Sequence, residues 1–195
     1  MNKLDTKTRQ KQILEASLNL IKEGGIQNLT MKRISGKVGI SEQAIYRHFK
    51  NKQDILCSLI NHFNDHFESV FEEVSDIPDL LEQMNAFIDQ HLIFFQHNQA
   101  TAAVIFSEEI FRYDSKLAKS IDGLVEYRIR KITKFVSMAQ KEGTISVDRP
   151  AEDLAYIILG SLRFLVTTWR LGGFTYDLTT KGESLKKTLL NLIVK

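Results

Sequence analysis

The sequence predicts an all-α protein with a short N-terminal helical head and a longer helical body. Three observations carry that expectation. Prolines are scarce, two in 195 residues; apolar residues recur at helical spacing along most of the chain; and no Val/Thr-rich alternating run lies between turn signals, so no strand is required. The apolar share, 43%, supplies core for one large domain or two small ones.

The first helix is expected over about residues 6–23, where Ile13, Leu14, Ala16, Leu18, Leu20 and Ile21 form an apolar stripe that stops at Gly24-Gly25. Thr30 can cap a short second helix, because its hydroxyl accepts one of the orphan amide bonds, with Leu29 placed to pack on Ile34. Gly39 ends it. Ser41 repeats the device for a third helix, with Ile40 placed to pack on Ile45. Two capped helices around Val-Gly-Ile-Ser make a helix-turn-helix. Asn51 can cap a fourth, running from Lys52 to about residue 74 with Ile60, Phe63, Phe67, Val70, Phe71 and Val74 at helical spacing.

Beyond Pro78, a helix over about residues 79–96 presents Leu80, Met84, Phe87, Ile88, His91 and Phe95, and a shorter aromatic-rich one covers about residues 101–113. A segment over about residues 115–143 is expected to break or bend near Gly123. Pro150, Glu152 and Asp153 mark a helix start, which runs on to Gly172-Gly173, and an amphipathic helix over about residues 179–194 closes the chain.

The net charge of +2 hides an asymmetry: residues 1–53 hold 11 Lys+Arg against 4 Asp+Glu, whereas residues 54–195 hold 15 against 20. A basic head on an acidic body predicts that the head meets a polyanion, and it divides the chain into domains 1–53 and 54–195. On the third helix Ile45 and Phe49, one turn apart, must face the core, which turns Gln43, Arg47 and Lys50 outward with Tyr46 at the flank. Gln and Arg reach base edges in the major groove, while Tyr, Lys and helix N-termini bind phosphates. Glu42 repels phosphate but can accept from a cytosine amino group.

The stretch from "ILEASLNLIKEGG" through "LTMKRISGKVGISEQAIYRHFKNKQDIL" resembles the DNA-binding domain of TetR-type transcriptional regulators. The shared pattern is an apolar first helix, a Gly, Leu-Thr at the second helix, Gly-Val-Ser at the turn, then Leu/Ile-Tyr-x-His-Phe and a Lys. The resemblance implies that Thr30 and Lys32 serve the backbone and bases from the second helix, and that Ser41, Glu42, Gln43 and Ala44 form the reading turn. It further implies that Tyr46 and His48 bind or pack beside phosphates and that Lys52 is a phosphate ligand. Ser35-Gly36 departs from the family's alanine and polar residue, and Glu42 is an unusual occupant of its position. For the body the resemblance implies a homodimer on a palindromic operator and a pocket for an apolar or amphipathic effector whose binding releases the repressor.

The residues support that body in part. Segments 121–142 and 150–171 are apolar over more than one face, which suits a dimer interface. Eleven of the twelve phenylalanines lie beyond residue 53, and Phe63, Phe67, Phe87, His91, Phe106, Glu109, Tyr113 and Arg163 are the candidate effector ligands, aromatics with polar groups set among them. An alternative makes the body a helical-bundle metalloenzyme using His62 and His66, one turn apart, with nearby carboxylates; the Glu-x-x-His pairs such bundles use do not occur. No Gly-rich phosphate loop, Gly-x-Ser-x-Gly or Cys/His nucleophile arrangement is present, so neither catalysis nor a cofactor or metal is expected.

A polar N-terminus and a lone Cys57 predict the cytoplasm. The most apolar run, residues 154–169, falls short of the roughly 20 residues of a membrane helix and contains Arg163, so it reads as a core or interface helix rather than a span.

Overall fold

The computed structural model describes residues 5–106 and 114–194. These form helices α1 (Thr6–Gly24), α2 (Met31–Val38), α3 (Glu42–Tyr46), α4 (Lys52–Ser75), α5 (Leu80–His97), α6 (Gln99–Ile105), α7 (Ser115–Lys141), α8 (Ala151–Leu171) and α9 (Leu178–Ile193), with a 3₁₀ turn at Ile26–Asn28. Among the described residues the sole extended pairing is a single bridge between Ile145 and Val194.

The contacts divide the chain into two compact units. One holds the residues up to Phe63 together with α6 and the start of α7, to Ile121. Its apolar stripe is buried as the periodicity requires: Ile13, Leu20, Ile21, Leu29, Ile34, Ile45 and Phe49 are all in the core. Helix α6 packs on α1 and α2 packs on both α1 and α3. The elements' ends follow from local chemistry. Asp5 caps α1 by accepting from the Thr8 N–H at 3.0 Å, and Gly25, at φ 73°, turns the chain out of the helix.

The second unit runs from Asn64 through α5, and from Asp122 through α8 and α9. Asp79 caps α5, accepting from the Glu82 N–H at 2.8 Å, and Asp177 caps α9 through the Thr180 N–H at 2.7 Å. The Trp169 indole, fully buried, donates to the Tyr176 carbonyl at 2.7 Å, which satisfies its one polar atom and fixes the loop ahead of α9. Gln96 Oε1 accepts the Leu178 N–H at 2.7 Å, tying the end of α5 to the start of α9. Lys186, nearly buried, bridges Asp89 at 2.7 Å and Glu183 at 2.8 Å.

Two expectations change. Helix α7 is continuous through Gly123, which is exposed and where an added Cβ would meet no atom within 4 Å. A solvent-facing glycine costs about 1 kcal/mol of helix propensity, and Leu117, Leu124, Ile132 and Val136, buried on either side of it, keep the helix unbroken across it. Helix α8, 21 residues as formed, is long and apolar enough to cross a membrane by length and composition. Here its two faces differ: Leu154, Ile158, Leu162, Val166 and Trp169 are buried, whereas Tyr156, Ile157, Phe164 and Leu171 are exposed.

Helices α5 and α9 make the most extensive pair of the second unit, and Gly182 lets them approach. A Cβ there would lie 2.2 Å from Leu92 Cδ1, inside the core. Gly182→Val should therefore overpack the interface and destabilise the protein by about 1–3 kcal/mol. Adding Leu92→Ala to the same chain should restore part of the loss, and urea melts of both single variants and the double measure this non-additivity.

Candidate nucleic-acid interface and ligand interior

The helix-turn-helix is assembled by three side-chain caps. Thr30 Oγ1 accepts from the Arg33 N–H at 3.2 Å, Ser41 Oγ from the Ala44 N–H at 3.2 Å, and Asn51 Oδ1 from the Asp54 N–H at 2.9 Å. Between the first two, Gly39 adopts the left-handed conformation (φ 74°, ψ 35°) and donates its N–H to Ser35 O. A side chain with a Cβ is strained there.

Helix α3 then buries Ile45 and, one turn on, Phe49 follows it into the core. Glu42, Gln43, Arg47 and Lys50 are exposed, Tyr46 is 49% exposed, and Ala44 and His48 are half-buried. Thr30, Lys32 and Arg33 are exposed on the neighbouring helix; Arg33 is a cation that the motif argument passed over. Ser35, Gly36, Gly39, Ile40, Ser41, Ala44 and Arg47 line an open depression of about 530 Å³ between the two helices. The Gly36 departure leaves α2 intact, and Ser35 is buried with its hydroxyl donating to Lys32 O at 2.8 Å.

Lys52 has a partner that sequence reasoning did not supply. Its Nζ donates to the Ile26 carbonyl at 2.9 Å, tying the start of α4 to the 3₁₀ turn after α1. Burial holds its ammonium below the usual lysine value. The start of α4 is also acidic: the Asp54 carboxylate accepts the Lys50 N–H at 3.0 Å and pairs with Lys116 of α7. The Lys116 side chain lowers the Asp54 pKa and is itself raised by it.

In the second unit, Phe67, Phe87 and His91 come together among the candidate effector residues. Phe67 meets Phe87 edge-on at 5.4 Å between centroids, and Phe71 lies 4.8 Å from Phe87. His91 sits 6.1 Å from Phe87 and 5.0 Å from Phe95. The other candidates fall elsewhere. Phe63 and Phe106 are buried in the first unit, Arg163 is exposed on α8, and Glu109 and Tyr113 lie outside the described residues.

Two residues of this interior were not among the effector candidates, His66 having been considered only as a metal ligand. His66 stacks on Phe94 with centroids 4.1 Å apart. Arg128 is buried, its guanidinium carbon 4.2 Å from the Phe67 ring centroid. The signal for Arg128 was present, because it falls between Leu124 and Ile132 on the buried stripe of α7, the same argument that picked out His91. Burial lowers the Arg128 pKa to about 9 and leaves it cationic at neutral pH. Burial, then Arg128 and then His66, lowers His91 to about 3, so its imidazole is neutral.

The metal-site alternative has no support here. His62 is exposed and His66 stacks on a ring, and among the described residues no three His, Cys, Asp or Glu side chains converge.

Compared with known proteins, residues 13–59 match the profile of bacterial regulatory proteins of the tetR family, and residues 59–194 match the C-terminal region of YsiA-like protein. The fatty acid metabolism regulator protein of Bacillus subtilis is 25% identical over 92% of this chain and 93% of its own. The transcriptional repressor BepR of Brucella suis is 26% identical over 91% and 88%. Among solved structures, the fatty acid degradation regulator FadR of Bacillus halodurans shares the fold with a TM-score of 0.85 at 20% identity, covering 97% of both chains. FadR of Bacillus subtilis in complex with stearoyl-CoA does so at 0.81 and 22%, covering 92% of this chain and 97% of its own.

Two outcomes test this geometry. Lys52→Met leaves the Ile26 carbonyl without its donor and should lower stability by about 1 kcal/mol. It should weaken binding to all DNA sequences alike with the salt slope unchanged; a slope smaller by about one would instead mark a phosphate contact. For His91, the folded state holds the imidazole neutral down to about pH 3 against an ordinary value of 6.5. The unfolded chain therefore binds the extra proton in that window, and stability is lost as pH falls through it. Melting temperatures from pH 7 to pH 4 should decline less steeply in His91→Phe than in the wild type.

Proposed function

The chain belongs to the TetR family of bacterial regulatory proteins, and from that premise we propose a ligand-responsive homodimeric repressor, released from a palindromic operator by an amphipathic compound of the long-chain acyl class. It is a DNA-binding transcriptional regulator with a helix-turn-helix and a helical C-terminal region, not an enzyme. One observation carries the reading: a reading helix and an aromatic interior with buried polar groups occur in one chain, joined by α4 and α7, which each run from the first compact unit into the second.

In this reading residues 1–53 bind DNA and residues 54–195 bind the effector and the second copy. Gln43 and Arg47 reach base edges, with Ser41, Glu42 and Ala44 in the same turn. Thr30, Lys32, Tyr46, His48 and Lys50 serve the backbone, and Lys52 holds the head together. The acyl class is supported by the names of the relatives, one regulating fatty acid metabolism and one solved with stearoyl-CoA, and by the phenylalanines around Phe67, Phe87 and His91. The regulator works in the cytoplasm, where its operator is.

The second copy fits the outer face of α8. Tyr156, Ile157, Phe164 and Leu171 are 45–71% exposed there, and Gly160 between them, where an added Cβ would meet no atom within 4 Å, leaves room for close helix approach. Large apolar side chains aligned along one exposed face mark a surface that another chain covers. A ligand that binds one arrangement of α4 and α7 better than another shifts the distance between the two reading helices, and DNA affinity falls.

Genomic fragment selection with the purified protein should recover a palindrome with half-sites about 34 Å apart, one helical turn. Binding to it should fall steeply with salt, and long-chain acyl-CoA should release it. Phe164→Arg should give a monomer by sedimentation and lower operator affinity by at least tenfold. Recovery of a single unpaired site by a wild-type monomer would count against the dimer.

A further inference from the structure

The body is acidic, with one exception. Residues 127–141 hold five of the fifteen Lys+Arg found beyond residue 53 and none of the twenty Asp+Glu. All five lie on α7, and the fold sorts them by environment: Arg128 is buried, Lys131 is half-buried, and Arg130, Lys134 and Lys141 are exposed. Tyr127, Arg130, Lys131 and Lys134 are three or four residues apart, so they share one face of the helix. Two carboxylates reach this face. Glu126 Oε2 stands 3.7 Å from Arg130, with both side chains well exposed, and Glu68 of α4 pairs with Lys131 at 3.1 Å, both about a third exposed.

The same face adjoins the aromatic interior. Lys131 Nζ stands 5.7 Å from the Phe71 ring centroid and 5.5 Å from that of Tyr127, and all three residues are half-buried. Behind Phe71 lie the buried rings of Phe87, at 4.8 Å, and Phe67, at 5.0 Å. At this seam between α4 and α7 the apolar interior meets both solvent and a run of cations. An acyl-CoA makes the same two demands: its hydrocarbon gains from burial, whereas its phosphates lose too much hydration to follow it inside. Lys and Arg hold phosphates by charge and by hydrogen bonds. The exposed pair with Glu126 contributes little that a phosphate has to replace.

We propose that Arg130, Lys131 and Lys134 bind the phosphate-bearing head of an acyl-CoA at the surface, with its chain entering past Phe71 toward the rings of Phe67 and Phe87. The inference rests on the acyl-class reading of the effector. It adds the form of the acyl compound, the CoA thioester rather than the free acid, and the place of its head. Hydrocarbon burial alone favours both forms equally, so the preference for the thioester comes from the cations and weakens with salt.

Equilibrium dialysis of the full-length protein against radiolabelled palmitoyl-CoA and palmitate, each below its micelle concentration, tests this. The wild type should bind palmitoyl-CoA at least tenfold more tightly than palmitate, and raising the salt should narrow the gap. Arg130→Gln combined with Lys134→Gln should lower palmitoyl-CoA affinity at least fivefold, while palmitate binding and ligand-free operator binding stay within twofold. Adding Lys131→Gln should lower it further. Palmitate bound as tightly as palmitoyl-CoA by the wild type, which needs no variant to fold, overturns the head site and leaves the acyl reading standing. A preference that ignores both salt and the substitutions does the same. So does a parallel loss of both lipids in the variants, the signature of a packing role, or a loss of operator affinity, which assigns the patch to DNA. No binding of either lipid by the wild type overturns the acyl reading and the head site with it.

Discussion

A helix of five residues, Glu42–Tyr46, cannot hold its own shape in water. The nucleus of a helix is costly, and isolated helices shorter than about 12 residues are marginal even in favourable sequences. The side chains that α3 exposes to solvent are therefore placed by what surrounds them. Ile45 and Phe49 are drawn into the head's core, Ser41 closes the first turn, and Gly39 sets the angle at which the chain enters. The exposed face is in effect the remainder: once those groups are fixed, Gln43 and Arg47 have only the outside left to them.

That dependence runs outward through the head. The core that receives Ile45 is made by α1 and α2, and α6, from the middle of the sequence, packs on α1. Lys52 closes the ring by bonding the Ile26 carbonyl, while Asp54 holds the Lys50 N–H and the Lys116 ammonium together. The segment after α3 is thus fixed both by its own head and by α7. Exposed ion pairs such as Lys116 with Asp54 contribute little to global stability, about 0–1 kcal/mol. Their effect here is geometric, because the pair ties the start of α4 to the start of α7.

The second unit answers a different demand. Its helices need an apolar core for stability and, in the proposed function, a shell that opens around a ligand. Phenylalanines suit both, since their edge-to-face and tilted contacts at 4.8–5.4 Å are favourable without interlocking tightly. The costly groups, Arg128 and His91, are buried where a uniform hydrocarbon core would be more stable. At the opposite extreme, Gly182 against Leu92 and the Trp169 bond to Tyr176 are close-fitting contacts that keep α5, α8 and α9 in register.

The sequence by itself determined what local chemistry decides. Thr30, Ser41 and Asn51 cap as their side chains dictate, Gly39 turns, Ile45 and Phe49 go inside, and most helices start and stop close to their signals, since these depend on a few neighbouring residues. The helix expected over residues 101–113 is described only as Gln99–Ile105, the rest of that stretch lying mostly outside the described residues. Tertiary structure alone decided the rest. Gly123 stays helical because distant surfaces clamp both sides of it. Lys52 turns to a carbonyl 26 residues earlier in the chain. Arg163 lies outside while Arg128 lies inside, although both interrupt apolar helices, because which stripe faces the core depends on which helices pack against it. Periodicity identifies a face of a helix, but only the neighbouring helices give that face its solvent.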